Sequence, residues 1–283
     1  MRSRFRAISR KVIIGRAPHS SRKTRLIGHL PNLCKISVSL VMRNSVDISP
    51  KTSYYRFLKP VYVFLRFKKP FNFYFRYLWD PLKTRINMLR NNGKQDRRLE
   101  IGTDFRSPID GFESLSIEGC IGIDYARDAS KRLPFRDSTF SLVFSSHALE
   151  HIPWYQTVDV LKEWTRILKP GGTMEIWVPD GLKICQNLVR VEEGGEDRSG
   201  LDDYYKLVPD KDPRLWAALR IFTFGDGKGT LDHANWHRAI FTPSLLLDSL
   251  KWAGLENVEL MDRSQARGRD HGWINLGARG VKP

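Results

Sequence analysis

The sequence predicts an α/β domain built on a doubly wound, mostly parallel sheet, and three observations lead there. Short apolar strands recur between Leu99 and Asp180, in RRLEIGTD, CIGIDY, SLVFSS and TMEIWVPD. The first closes on Glu100 and Gly102, the form a parallel strand takes where it delivers a ligand-binding turn. A stretch of helical periodicity, TVDVLKEWTRIL, separates the last two, and strands alternating with helices imply crossovers and parallel pairing. At 283 residues and 41% apolar, the chain holds one substantial core plus an appendage.

The appendage comes first, and charge marks it. Met1 to Arg98 carries 24 Lys and Arg against Asp47, Asp80 and Asp96, a net +21, so a whole-chain charge of +16 leaves −5 for the remainder. Any footprint for a phosphate backbone therefore lies in this arm. Residues 1–46 contain no acid and are rich in Arg and Ser, as organellar transit segments are. The alternative reading takes Met42 as the natural start. On either view residues 1–41 are disordered or absent from the mature protein, and 42–98 form a basic aromatic arm. From Tyr54 to Trp79 aromatic rings alternate with cations, and Pro60 and Pro70 rule out one continuous helix. Two short basic amphipathic segments suit an anionic membrane surface. They also suit single-stranded nucleic acid, or a plain covering for one edge of the domain.

No run reaches the roughly 18 uncharged apolar residues of a membrane span. Cys34, Cys120 and Cys185 are odd in number and widely spaced, so neither a disulfide framework nor a cysteine zinc site is predicted. A reducing compartment follows: the cytoplasm, with peripheral membrane contact through 54–79, or an organelle if the first 41 residues direct it there.

Within 99–283 the first strand ends at Glu100 and Gly102. About twenty residues on, CIGIDY reads as a second buried strand closing on Asp124, where such folds place a ribose-binding carboxylate. SLVFSS is the third strand. The helix TVDVLKEWTRIL stops at Lys169, Pro170 and Gly171, and TMEIWVPD is the fourth strand.

Taken in order, LEIGTD, GIDYARDASKRLPFRDSTFSLVFSSHALEHI and EWTRILKPGGTMEIWVPD resemble the class I S-adenosylmethionine-dependent methyltransferases. They are most similar to the small enzymes of bacterial cell-surface polysaccharide gene clusters. FTPSLLLDSLKWAGLENVEL resembles the family's C-terminal helix and strand. The resemblance implies a Rossmann-like methyltransferase fold with a cofactor core at 99–180, an acceptor-side insert at 181–240 and a C-terminal unit at 241–283. It implies that Glu100, Gly102 and Thr103 form the turn beside the amino-acid end of the cofactor. Asp124 and its neighbour Tyr125 would serve the ribose, and Asp128 with Ala129 the adenine. Ser145 and Ser146 would end the strand after which the pocket opens. Asp104 and Arg106 stand where the family has glycines.

Three histidines are candidates for the acceptor side: His147, His233 and His237. An imidazole there can take the proton of an acceptor hydroxyl, and Trp236 can line the site. His147, Glu150 and His151 also spell H-x-x-E-H, which on a helix would set two imidazoles on one face. A zinc site needs a further ligand that the sequence does not place, so no metal is expected. The implied reaction is methyl transfer to a small or glycan acceptor, a sugar hydroxyl in polysaccharide biosynthesis. Two rivals are a fold-retaining partner protein that has lost the cofactor, and an RNA methyltransferase using the basic arm.

Overall fold

The computed structural model describes residues 74–103, 109–117, 119 and 122–283, all within the compact unit Thr52–Pro283. Among these residues one sheet contains β1 (Arg98–Ile101), β2 (Glu113–Ser116), β3 (Tyr125–Ala126), β4 (Phe140–Ser146), β5 (Leu168–Pro179), β6 (Glu256–Met261) and β7 (Asn275–Val281). The strand order is β3-β2-β1-β4-β5-β7-β6. β1 to β5 pair in parallel, and β7 runs antiparallel between β5 and β6. The doubly wound, mostly parallel sheet expected from the sequence is present. Its central strands are buried on both faces, which is why they read as nearly continuous apolar runs: Leu99, Ile101, Val143, Phe144, Met174, Ile176 and Val178 are all enclosed.

The helices are α1 (Asp80–Asn91), α2 (Thr157–Ile167), α3 (Gly181–Glu192), α4 (Pro213–Phe222) and α5 (Pro243–Trp252). α2 buries Val160, Leu161, Trp164 and Ile167, a three-and-four spacing that makes one core-facing stripe. Each such side chain stabilises the fold by about 1.5–3 kcal/mol. α5 begins at Thr242, whose hydroxyl accepts from the Leu245 N–H at 3.3 Å, with Pro243 in its first turn. It is followed by Gly254 at φ +87°, the left-handed position that glycine fills after a helix. The C-terminal helix and strand thus lie where the sequence puts them.

Two expectations are corrected. The second strand is Glu113–Ser116 and not CIGIDY, of whose described residues only Tyr125 pairs, with Ala126 in β3. Asp124 and Asp128 therefore flank one short strand, which accounts for the three residues between them. The domain also does not begin at Leu99. α1, assigned to the arm, packs a polar face of Asp80, Thr84, Asn87 and Asn91 inward. The Thr84 hydroxyl accepts from the Ala126 N–H at 3.1 Å, Asn87 donates to the Asp124 carbonyl at 3.0 Å, and Asn91 donates to the Tyr125 hydroxyl at 2.9 Å. Residues 1–73, including most of the 54–79 segment, lie outside the described residues.

The insert 181–240 builds a smaller core of its own. Ile184 of α3, Val208, Trp216 and Ala217 of α4, and Ile274 pack together, and the Trp216 indole donates to Asp202 at 2.8 Å.

Candidate functional site

All five parallel strands end at one edge, and β1 and β4 are neighbours from which the chain winds outward in both directions. Doubly wound sheets bind ligands in the crevice beyond such a switch point. At the end of β1, exposed Gly102 holds φ +84°, and a Cβ there would stand 2.3 Å from the Ala148 Cβ. The N–H groups of Gly102 and Thr103 both donate to the Leu115 carbonyl, at 2.9 and 3.2 Å. The Thr103 hydroxyl donates to the Glu100 carbonyl at 3.1 Å. Glu100 is buried, and its carboxylate accepts from the Ile109 N–H at 3.1 Å. It thereby ties β1 to the chain that resumes at Ile109; Asp104 and Arg106 lie outside the described residues.

β3 leads directly into Asp128 and Ala129. The Asp128 carboxylate accepts from the Ser130 N–H and hydroxyl at 2.9 and 2.7 Å. The Ala129 carbonyl accepts from the Trp164 indole at 3.0 Å, so α2 fixes this corner at the ligand edge. Asp124 sits at the opposite end of the strand. Its carboxylate accepts from the Ser114 N–H at 3.0 Å and the Ser114 hydroxyl at 3.2 Å, near the start of β2, with Arg90 of α1 3.6 Å away. These contacts hold the carboxylate, which the sequence reading assigns to the ribose, at the start of β2 and not at the ligand edge. Tyr125 is likewise a core residue. It is fully buried, and its hydroxyl donates to Glu113 beside the Arg97–Glu113 ion pair, which closes through two contacts of 2.8 Å. Burial, followed by the hydrogen bond to Glu113, pushes the phenol's pKa upward.

Ser145 is fully buried on β4, with its hydroxyl unpaired among the described residues, and Ser146 is half-buried at the strand end. The next residue, His147, has φ +51°, a left-handed conformation that costs a side chain of this size on the order of 1–3 kcal/mol. Its N–H donates to the Trp177 carbonyl at 2.8 Å. The ring spans Asn275 Oδ1 at 3.0 Å from Nε2 and Glu150 Oε1 at 3.2 Å from Nδ1, and it stacks on His271 at 3.6 Å between centroids.

H-A-L-E-H does not form the helix that would align its two histidines. Leu149–His151 is a single 3-10 turn, and the His147 ring lies against Asn275 while His151 Nδ1 lies 3.3 Å from the Trp236 carbonyl. The structure instead brings His237 to Glu150, with Nε2 3.9 Å from Oε1. Burial opposes the charge of Glu150, yet His147, His151 and His237 hold its carboxyl down at about 2. Burial pushes His237 down to about 4 and His271 to about 2, so both imidazoles are neutral near pH 7. His233 is not gathered in. Its Nδ1 accepts from the Asn235 N–H at 3.2 Å in a local turn. The Trp236 indole donates to the Thr230 carbonyl at 2.8 Å.

Sequence reasoning missed Ala148, His271 and Asn275. Ala148 carries no local signal, and the other two reach His147 from the far end of the chain through the β5–β7 pairing, which no local pattern reports.

Residues 111–176, from just before β2 into β5, match the family model described as "Methyltransferase domain". Among curated proteins, the Escherichia coli (strain K12) protein YafE is 27% identical over 130 residues, covering 43% of this chain and 58% of that protein. The demethylmenaquinone methyltransferase of Bacillus cytotoxicus is 37% identical over 62 residues, covering 22% of this chain and 25% of that protein. A solved SAM-dependent methyltransferase of Methanosarcina mazei aligns at 16% identity and a TM-score of 0.41, over 69% of this chain and 96% of that one. The chain thus spans a little over half the length of the first curated relative and a quarter of the second.

Proposed function

We propose that this protein transfers a methyl group from S-adenosylmethionine to a small or glycan acceptor. The observation that carries the reading is the match of residues 111–176 to a methyltransferase domain. Its first strand lies beside β1 and its remaining strands continue the sheet on both sides of the switch point. Exposed Gly102 and the Asp128–Ala129 corner fit a nucleoside-type cofactor laid along that edge. The main chain of Gly102 and Thr103 would approach its amino-acid end, and Asp128 its adenine. The cofactor supplies the activated methyl group when bound. The chain's part is to hold an acceptor oxygen in line and exclude water. His147 and His237, beyond the end of β4, are the acceptor-side residues of this reading. His233 leaves the set.

For the acceptor we propose a sugar hydroxyl, as the sequence resemblance implies. Incubating the full chain with methyl-labelled S-adenosylmethionine and a panel of nucleotide sugars and lipid-linked glycans tests both parts. Label in a sugar supports the reading, label only in another acceptor removes the sugar, and no transfer to any acceptor opposes the activity.

We also propose peripheral contact with an anionic membrane. α1 is amphipathic in an inverted sense: its inward face is polar, while Leu82, Ile86 and Leu89 stand exposed, continuous with exposed Tyr77, Leu78 and Trp79. Exposed Arg76 and Arg85 flank this stripe, the arrangement that lays a helix on an acidic lipid surface. Co-sedimentation with vesicles containing phosphatidylserine is expected, and Leu82→Ser with Leu89→Ser should abolish it. Equal recovery with and without vesicles would refute this contact.

A further inference from the structure

We propose that Glu150, His151 and His237 form a binding site for one divalent transition-metal ion. One carboxylate oxygen and one nitrogen of each imidazole lie within 4.8 Å of one another. The sequence alone offers no third ligand for H-x-x-E-H. The fold instead puts His237, from the loop that precedes α5, in place of His147 beside Glu150 and His151.

Both imidazoles are fixed from behind by the main chain. His151 Nδ1 stands 3.3 Å from the Trp236 carbonyl, and His237 Nδ1 stands 3.0 Å from the Arg220 carbonyl. A carbonyl only accepts, so each ring donates from Nδ1 and carries its lone pair on Nε2. Metal-ligating histidines are held in this way, with the second nitrogen donating to an outer oxygen. His237 Nε2 is the atom turned toward Glu150.

Glu150 supplies the second argument. It is 1% exposed, and neither carboxylate oxygen has a hydrogen-bond partner of normal geometry among the described residues. Its one close side-chain neighbour is His147, whose Nδ1 stands 3.2 Å from Oε1, and Oε2 is left without a partner among the described residues. A buried carboxylate without such partners is costly, and structures relieve it by ion pairing or by metal coordination. Arg220, the nearby cation, is already 2.9 Å from Asp202.

There is also space beside Glu150. A cavity of about 10 Å³ lies against Glu150 and His237, with Arg220 and Ala239 also in its lining and His151 outside it; it has room for one water or one ion beside two of the three ligands. The loop that supplies His237 is docked on the same residue, since the Arg238 and Ala239 N–H groups donate to the Glu150 carbonyl at 2.7 and 3.1 Å. Two imidazoles and one carboxylate suit Zn²⁺ or Fe²⁺ and leave a position open for water or an oxygen ligand. An all-oxygen cation such as Mg²⁺ is disfavoured by the same donor set. Ligands around one ion sit closer than 4.8 Å, so the site contracts on binding, and His237 then serves as a ligand and not as a base.

Calorimetric titration of the chelator-treated full chain with Zn²⁺ tests the site. One equivalent should bind, and Glu150→Gln and His237→Ala, each checked for folding by circular dichroism, should each weaken binding by at least about tenfold. The Co²⁺ spectrum of the unaltered chain gives a second readout that needs no variant. Visible d–d bands without thiolate charge transfer indicate nitrogen and oxygen donors and exclude Cys34, Cys120 and Cys185. Absence of stoichiometric binding, a thiolate spectrum, or affinity unchanged in both variants would overturn the site.

Discussion

Gly102 and Ala148 meet at the switch point, where a Cβ on Gly102 would come within 2.3 Å of the Ala148 Cβ. The exits of β1 and β4 are therefore packed backbone against side chain. Gly102→Ala meets both this contact and the φ of +84°. It should cost about 1–3 kcal/mol in urea unfolding and weaken S-adenosylhomocysteine binding. Unchanged stability would mean that Ala148 moves aside freely.

The two aspartates once read as a cofactor pair should separate. Asp124→Asn alters the pinning between β2 and β3, and is expected to lower the unfolding midpoint while leaving S-adenosylhomocysteine affinity within about twofold. Asp128→Asn should weaken that affinity about tenfold, the loss of one charge-assisted hydrogen bond. Calorimetry on both variants checks this. The reverse order would restore the ribose role to Asp124. In the sequence, the first acid after β2 is Glu118.

Arg97 and Glu113 form a buried ion pair. Glu113→Gln leaves the guanidinium without its partner and should destabilise the fold by about 3–5 kcal/mol. Tyr125→Phe removes the hydroxyl that donates to Glu113 and accepts from Asn91 and Arg97, and should cost about 1–3 kcal/mol. Neither change touches the ligand edge, so the fraction that folds should bind cofactor normally.

Acid should loosen the α2 face through Glu163. Burial alone would raise this carboxyl, but Arg166, donating at 2.7 and 2.8 Å, and the Leu133 N–H at 2.7 Å hold it below its ordinary value. A carboxyl depressed in the folded state adds stability that is complete above the unfolded value, about 4.3. That stability is lost as pH falls through the lower folded value. Urea midpoints measured from pH 6 downward should drop less steeply in Glu163→Gln than in the unaltered chain. Equal slopes would remove Glu163 from the account.

The sequence made the central sheet legible because buried parallel strands are apolar throughout: Leu99, Val143 and Ile176 declare themselves. The α2 stripe was readable for an equally local reason. β2 escaped because ESLS places serines at alternate positions and lacks the β-branched density of a core strand. Without β2 in the apolar pattern, Asp124 reads as the acid that closes the second strand, whereas it directly precedes β3. α1 was passed over as a domain element because it buries a polar face, the reverse of the usual stripe. The cluster around Glu150 depends on contacts with residues 236–237 and 271–275, and contacts of such sequence separation leave no periodic trace.

The central claim is that the β1–β4 edge binds the methyl donor's nucleoside, and calorimetric titration of the full chain with S-adenosylhomocysteine tests it most directly. The account predicts one molecule bound per chain, with affinity reduced by Gly102→Ala and Asp128→Asn and retained by Asp124→Asn. A folded chain that gives no binding heat at any temperature tried, and no thermal stabilisation by the same ligand, would contradict it.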